Sequence, residues 1–443
     1  MTGGIGLKRS LTDSRLNGGY AKMQRSVFIA AVILLVLYII ALGLDAIPVH
    51  QTGLDLAISS HRLFAWLGLA FLLIQFILSA RIKSWEINYS LDRRLADHRR
   101  FGQIGVTFLF LHVALILTQD ITGAGFILTT PRIWGIAAFV LVMTAGAMAS
   151  LHKRLGVRYE TWKSVHLLTY LGFPLALLHV WPVGPTGQWY WMGLGATLGF
   201  FVLLVHRGVS IYQLRRQPYE VVDVQRENAD TWTLSFSGKR VHYNPGQFGH
   251  FQLIREGRRS ASHPFTLASS PTESKIRITP KESGDFTKTI GDTRIGDRAY
   301  IDAPFGSFTY HQASRHLLLV FIAGGIGITP FMSMLRHMKA QGIDRPVRLF
   351  WANKHERNLL FDEELAEMEA HFSDFRIIHF MSEQPDWMGE SGHIHITRIQ
   401  PYLPSMDCEY FLCGPPPMTR ALESQLREMR IPRQRIHREI FEL

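Results

Sequence analysis

Four histidines carry the most informative spacing in this 443-residue sequence. His98 and His112 are 14 residues apart and His166 and His179 are 13 apart, each pair bracketing an apolar stretch. Ionisable groups inside apolar spans are costly and point to function. At 1.5 Å per residue, each pair is separated by roughly 20 Å along its helix. If both stretches run in the same direction, His98 and His166 share one depth and His112 and His179 share another. Two levels, each with two facing imidazoles, suit two bis-histidine b-type haems in a helix bundle. The alternative is four isolated imidazoles, each satisfied by a backbone carbonyl or lying at an interface; the matched depths favour haem. The rotation fits less well. Fourteen residues bring His112 within about 40° of the face of His98, whereas thirteen put His179 about 140° from that of His166. Pro174 lies between the latter two and can distort the helix.

The elements that must hold these histidines are six apolar runs, near 27–47, 56–80, 101–118, 133–151, 164–181 and 189–206. Each is long enough, or nearly so, to cross a hydrocarbon core. Lys and Arg cluster in residues 1–26, 81–100 and 152–163, whereas the other links carry only Arg132. The positive-inside rule then places both termini in the cytoplasm and runs the third and fifth spans in the same direction. Trp134, Trp181, Trp189 and Trp191 fall at the outer ends, as an aromatic belt would. The net charge of +11 is thus mostly topological, and a nucleic-acid partner is not expected. His61, His152 and His206 lack partners at matched depth and read as interfacial. Arg62 either snorkels outwards or holds a haem propionate or an anionic acceptor. Cys408 and Cys413 are the only cysteines, which excludes a disulfide framework, a four-cysteine zinc site and an all-cysteine iron–sulfur cluster.

Beyond about Arg216 the composition becomes that of a soluble protein. Short alternating runs at Trp232–Phe236, Gln247–Leu253 and Lys275–Thr279 predict a small antiparallel barrel over 217–312. An apolar run, His316–Ala323, then leads into Gly324-Gly325-Ile326-Gly327-Ile328-Thr329-Pro330 and a helical stretch. Strand, glycine loop and helix bring backbone N–H groups towards a phosphate; a tight structural turn is the alternative. A strand at Val347–Trp351, a helix around Asp362–His371 and a strand at Tyr410–Leu412 continue an α/β pattern over 313–443. The predicted architecture has four parts. A cytosolic segment (1–26) precedes a six-helix transmembrane bundle (27–212), then the antiparallel β-barrel and the α/β nucleotide-binding domain.

In this order the motifs resemble the NADPH oxidase and ferric reductase family. His98-Arg99-Arg100-Phe101-Gly102 with His112, and Tyr159-Glu160-Thr161-Trp162-Lys163-Ser164-Val165-His166 with His179, are similar to its haem-bearing spans. The soluble half resembles ferredoxin-NADP+ reductase. Pro245-Gly246-Gln247-Phe248 resembles a strand leading to the flavin. His263-Pro264-Phe265-Thr266-Leu267 resembles the flavin motif, which implies Thr266 beside the isoalloxazine and His263 near the flavin's phosphate or ribityl part. Gly284-Asp285-Phe286-Thr287-Lys288 resembles the segment that holds the FAD pyrophosphate, and Pro304-Phe305-Gly306 the turn between the lobes. Gly324, Gly325, Gly327, Thr329 and Pro330 resemble the dinucleotide phosphate loop. Cys413-Gly414-Pro415-Pro416-Pro417-Met418 resembles the turn that places a cysteine beside the nicotinamide, with strand-end packing of Cys413 as the alternative. Phe441 resembles the terminal aromatic that covers the flavin, although Glu442 and Leu443 follow it.

The resemblance implies FAD, NADPH or NADH, and two b-type haems as cofactors, in an integral protein of a bacterial inner membrane. Electrons from cytosolic NADPH would reach an outer acceptor, with Thr266, Cys413 and Phe441 acting in hydride transfer. Short outer links favour a small diffusible acceptor. Dioxygen is preferred, a ferric chelate is second, and a haem relay to a membrane or periplasmic protein is third; no obligatory protein partner is evident. Basic Lys354 and Arg357, just after Val347–Trp351, are candidates for the 2′-phosphate of NADPH; the alternatives are a solvated charged loop, which explains them equally well, and pairing of Glu356 with one of them.

Overall fold

A computed structural model of the protein describes residues 26–41, 60–80, 82, 85, 89, 91–122, 125–152, 154–183 and 188–439. They fall into two compact units, one within 19–211 and one within 212–443.

The first unit is helical: α1 (Ser26–Ala41), α2 (His61–Ser79), α3 (Leu91–Thr122), α4 (Thr130–Leu151), α5 (Tyr159–His166), α6 (Thr169–Val183) and α7 (Gln188–Arg216), which runs on into the second unit. Five stretches are long and apolar enough to cross a membrane: α2, α3, α4, Thr161–Pro182 and α7. The first expected span (27–47) is seen as α1, which is shorter, and its remainder (42–47) lies outside the described residues. Large apolar side chains such as Phe110, Val140, Leu171, Phe201 and Val202 point outwards, a surface suited to lipid. Inside, small residues let the helices approach closely. A Cβ on Gly68 would strike Leu109, one on Gly105 would strike Phe71, and one on Gly172 would meet Val142 at 3.0 Å. Phe76, Phe173 and Phe200 close the centre as a triad of rings 4.9–5.3 Å apart.

The fifth span is not one continuous helix. It breaks at Leu167–Leu168, ahead of Pro174, where Leu168, Tyr170 and Leu171 donate to the carbonyls of Val165, Leu167 and Leu168, three residues back. Such bonds wind the chain more tightly than an α-helix. The Thr169 hydroxyl takes up the His166 carbonyl at 2.9 Å.

The second unit begins with an antiparallel sheet: β1 (Tyr219–Arg226), β2 (Trp232–Ser237), β3 (Phe248–Arg255), β4 (Arg258–Arg259), β5 (His263–Thr266), β6 (Ile276–Ile278) and β7 (Arg298–Phe305). Its order is β4-β3-β7-β1-β2-β6, with β5 on β3. The expected barrel is not closed by a ladder among the described residues. Between β5 and β6 the segment after β5 makes two bonds to Arg277: the Ala268 N–H donates to the Arg277 carbonyl at 2.8 Å, and the Arg277 N–H donates to the Ser269 hydroxyl at 3.0 Å.

A wholly parallel sheet follows: β8 (Leu319–Gly324), β9 (Val347–Asn353), β10 (Phe375–Met381), β11 (Glu390–Ser391), β12 (Glu409–Cys413) and β13 (Ile436–Glu439). The order β11-β10-β9-β8-β12-β13 reverses direction between β8 and β12. Every residue of β8 is buried, as a central strand covered on both faces requires. Helices α8 (Thr329–Ala340), α9 (Asp362–His371) and α10 (Pro416–Glu428) accompany this sheet. Arg336 of α8 ties the two sheets together. It donates to the Ala268 carbonyl at 2.6 Å and grips Glu364 of α9 with two bonds of 2.7 and 2.5 Å. Burial raises the Glu364 carboxyl, but the Arg336 bonds outweigh it and hold the group below its ordinary range.

Candidate functional site

The helical unit brings the four spaced histidines together in pairs. The rings of His98 and His166 lie 6.0 Å apart, and those of His112 and His179 lie 6.4 Å apart. The break at Leu167–Leu168 separates His166 from His179, and both meet partners on α3 despite the 13-residue spacing. A metal bonded at about 2 Å to one nitrogen of each of two imidazoles sets their centres roughly 6 Å apart, so both pairs fit a shared ion. Among the described residues no group of three or more His, Cys, Asp or Glu forms a metal cage. Any ion here therefore draws two protein ligands per level.

The pair of His112 and His179 is further prepared. Nδ1 of His112 lies 2.8 Å from the His61 carbonyl, and Nδ1 of His179 lies 2.8 Å from the Pro131 carbonyl. A carbonyl only accepts, so each Nδ1 carries the proton and each Nε2 presents a lone pair. Ligating histidines are usually fixed in this way. Gly135 adds a flat seat, because a Cβ there would meet the His179 ring at 2.9–3.1 Å. Around the inner pair the carbonyls of Gln75 and Ala145 face the rings, yet neither Nδ1 closes a hydrogen bond of ordinary geometry.

Two histidines read as interfacial have ring partners. His61 lies 5.5 Å from His112, and His152 stacks on Trp162 at 5.0 Å, which in turn stacks on His166 at 5.7 Å. Arg62 is exposed. Sequence reasoning missed the buried Arg94, one turn before His98, and Asp97, directly before it. Arg94 donates to the Ala80 carbonyl at 2.9 Å, and the Tyr89 hydroxyl donates to Asp97 at 2.6 Å. Charged residues in a basic link gave no sign of burial.

In the antiparallel sheet the expected flavin residues converge on β3. Thr266 pairs with Phe248, which pairs with Phe305 on the other side; Phe265 and Pro264 face Gly249 and His250. Gln247 donates to the Gly306 carbonyl at 2.6 Å, joining the Gln247-Phe248 motif to the turn at Gly306. The His263 ring lies flat on Phe286, 4.0 Å away at 7°. Arg255 sits over Phe286 at 5.9 Å and donates to Thr289, adding a cation that sequence reasoning overlooked. The Thr287 hydroxyl accepts N–H bonds from Ser283 and Gly284, both at 2.9 Å, and so shapes the turn carrying exposed Asp285.

In the parallel sheet, Gly324 ends β8 and Cys413 ends β12, side by side where the strand order reverses. Open α/β sheets bind ligands in that crevice. The loop from Gly325 to Ile328 is a short 3-10 turn leading into α8, with Thr329 and Pro330 in the helix's first turn. It presses on the Cys413 turn backbone to backbone: a Cβ on Gly327 would lie 2.3 Å from the Cys413 carbonyl oxygen, and one on Gly324 would strike Pro415 and Met418. A Cβ on Gly414 would meet Gly324 at 2.9–3.0 Å. The Trp351 indole N–H holds the Gly325 carbonyl at 2.9 Å. Glu439, buried and paired in register with Cys413, lies near Gly306 and was not singled out by sequence.

Cys413 is fully buried, and its thiol is pushed well above its ordinary value by burial and then by Glu439. Burial likewise raises the Cys408 thiol. Neither is a thiolate near neutrality. The folded protein is therefore expected to resist Ellman's reagent at pH 8, with both thiols of the chain reacting after denaturation. Rapid labelling of native protein would overturn this.

Lys354 and Arg357 are exposed beyond the end of β9, and Lys354 pairs with Glu383 at 2.9 Å rather than with Glu356. Phe441 lies outside the described residues.

Three family models match in sequence order: a ferric reductase like transmembrane component over 64–177, an FAD-binding domain over 215–307 and an oxidoreductase NAD-binding domain over 321–424. The chain is similar to the ferredoxin reductase component of 3-ketosteroid-9-alpha-monooxygenase from Mycobacterium tuberculosis, 29% identical over 208 residues, 46% of this chain and 56% of that protein. It is similar also to the anthranilate 1,2-dioxygenase electron transfer component of Acinetobacter baylyi, 32% identical over 46% of this chain and 59% of that one. The chain thus spans just over half the length of these relatives. A flavohemoglobin from Malassezia yamatoensis shares the fold at 18% identity, with a TM-score of 0.50 over 87% of this chain and 97% of that one.

Fold and matches together define a reductase half made of an FAD-binding domain and an oxidoreductase NAD-binding domain, joined in sequence to an apolar helical half matched by a ferric reductase like transmembrane component. In this order the three matched domains have the arrangement of the ferric reductase-like and NADPH oxidase family, with a dehydrogenase half of the ferredoxin-NADP+ reductase type.

Proposed function

We propose that the protein carries electrons from NADPH in the cytoplasm to a small acceptor on the outer face of a bacterial inner membrane. Two histidine pairs with ring centres 6.0 and 6.4 Å apart are the observation that carries this reading. His98 and His166 would hold an inner b-type haem, and His112 and His179 an outer one. Bound FAD and haem supply the conversion of a two-electron donor into single-electron steps. The chain supplies placement. Gly324, Gly325 and Gly327 with the start of α8 receive the dinucleotide phosphates, and Cys413, Gly414 and Pro415 border the nicotinamide. Thr266 would adjoin the flavin ring, Phe441 would cover it, and His263, Phe286 and Arg255 would lie towards its phosphates.

Short outer links favour a small diffusible acceptor, and the one assigned is dioxygen, giving superoxide. The description of the matched transmembrane model favours a second reading, a ferric chelate. Purified protein given NADPH separates them. Superoxide formed without added iron supports the first, and ferrous iron without superoxide supports the second. Formation of neither would refute both and leave a relay to a partner protein.

Lys354 and Arg357 form the only basic group proposed for the 2′-phosphate. We expect catalytic efficiency to be higher with NADPH than with NADH and the difference to shrink in Lys354→Ala or Arg357→Ala. Equal steady-state efficiencies in the unmutated protein would remove this assignment.

A further inference from the structure

The outer ligand His179 depends on a carbonyl, and that carbonyl lies in the first turn of α4, which one ion pair clamps to the end of α3. Arg132 meets Asp120 with both arms of its guanidinium, at 3.1 and 3.0 Å. The same Arg132 donates to the Ile127 carbonyl at 3.0 Å and lies over the Phe126 ring at 5.7 Å. The Asp120 side chain is only 9% exposed while that of Arg132 is 33% exposed, so removal of Arg132 strands a buried carboxylate. These contacts join the end of α3 to the start of α4. The residue before Arg132 is Pro131, whose carbonyl takes the Nδ1 proton of His179. The residue three positions after Arg132 is Gly135, the flat seat of the same ring.

We propose that Asp120 and Arg132 are positioning residues for His179. By pinning the link between α3 and α4 they hold the Pro131 carbonyl where it fixes the imidazole tautomer and leaves Nε2 as the ligand. A fork with two parallel bonds sets distance and angle at once, which an amine does not. A hydrogen bond at Nδ1 makes Nε2 a stronger donor and favours the oxidised metal. Loss of the clamp therefore raises the midpoint potential of the outer haem alone.

The proposal rests on the haem reading above, and the experiment separates the two. Full-length protein is purified as wild type and as Arg132→Gln, Arg132→Lys, Asp120→Asn and the reversed pair Asp120→Arg with Arg132→Asp. Haem content, low-spin electron paramagnetic resonance signals and both midpoint potentials are measured on each. The expected result is a raised outer midpoint and a broadened or diminished outer signal in Arg132→Gln and Asp120→Asn. Arg132→Lys should shift in the same direction, the reversed pair should recover towards wild type, and the inner signal should not move. Unchanged outer signals in the single variants overturn the clamp while leaving the haem reading intact. Loss of both haems together in all four variants also overturns it, because a general collapse is not positioning. A wild-type chain lacking an outer haem overturns both readings.

Discussion

Alanine at His112 or His179 is expected to remove one of two haems per chain while NADPH still bleaches the flavin. An iron held by two imidazoles loses one ligand outright, and among the described residues no group of three or more His, Cys, Asp or Glu gathers there to supply another. Haem per chain and the low-spin signal read the loss directly, and stopped-flow absorbance reads the flavin. Either variant retaining two low-spin haems would show that the ligands have been wrongly assigned. Flavin reduction failing together with the haem would indicate damage reaching the other half of the chain.

The second large effect concerns the dinucleotide crevice. Gly327→Ala would set a methyl group 2.3 Å from the Cys413 carbonyl oxygen and 3.0 Å from the Gly414 Cα. Both obstacles are backbone, and neither can rotate away. Overpacking typically costs about 1–3 kcal/mol, and each 1.4 kcal/mol is about tenfold. Nicotinamide-dependent flavin reduction should therefore fall by about 10- to 100-fold, with a lower melting temperature. Gly325→Ala provides the contrast. Its φ of +53° disfavours a side chain, at roughly 1–2 kcal/mol, but a Cβ there meets nothing within 4 Å. Gly325→Asn, which tolerates that conformation better, should come close to wild type in melting temperature. Wild-type hydride transfer in Gly327→Ala would mean that the crevice opens more readily than its packing suggests.

What was legible in the sequence is what depends on depth and chain order. Matched heights of His98 with His166 and of His112 with His179 follow from counting residues, and strand–glycine–helix order locates the crevice between β8 and β12. Rotation is not legible in that way, because the break at Leu167–Leu168 shows no glycine and lies ahead of the proline that drew attention. Partnerships across the fold were equally hidden. Lys354 finds Glu383 only because the ends of β9 and β10 are neighbours in a parallel sheet. Arg255 and Glu439 become notable only once the strands beside them are in register. The barrel was inferred from alternation, which reports one buried face per strand but not whether the last strand meets the first.

The joint in the fifth span separates two quantities that a continuous helix locks together. Height between ligands is still counted at about 1.5 Å per residue, whereas the angle between them is set at the joint. Ligand spacing in such a span is a measure of vertical distance only. The difference between 14 residues on α3 and 13 on its partner therefore amounts to about 1.5 Å of height, not to a misfacing of about 100°. A search that required equal spacing on the two spans would reject chains whose ligands meet perfectly well.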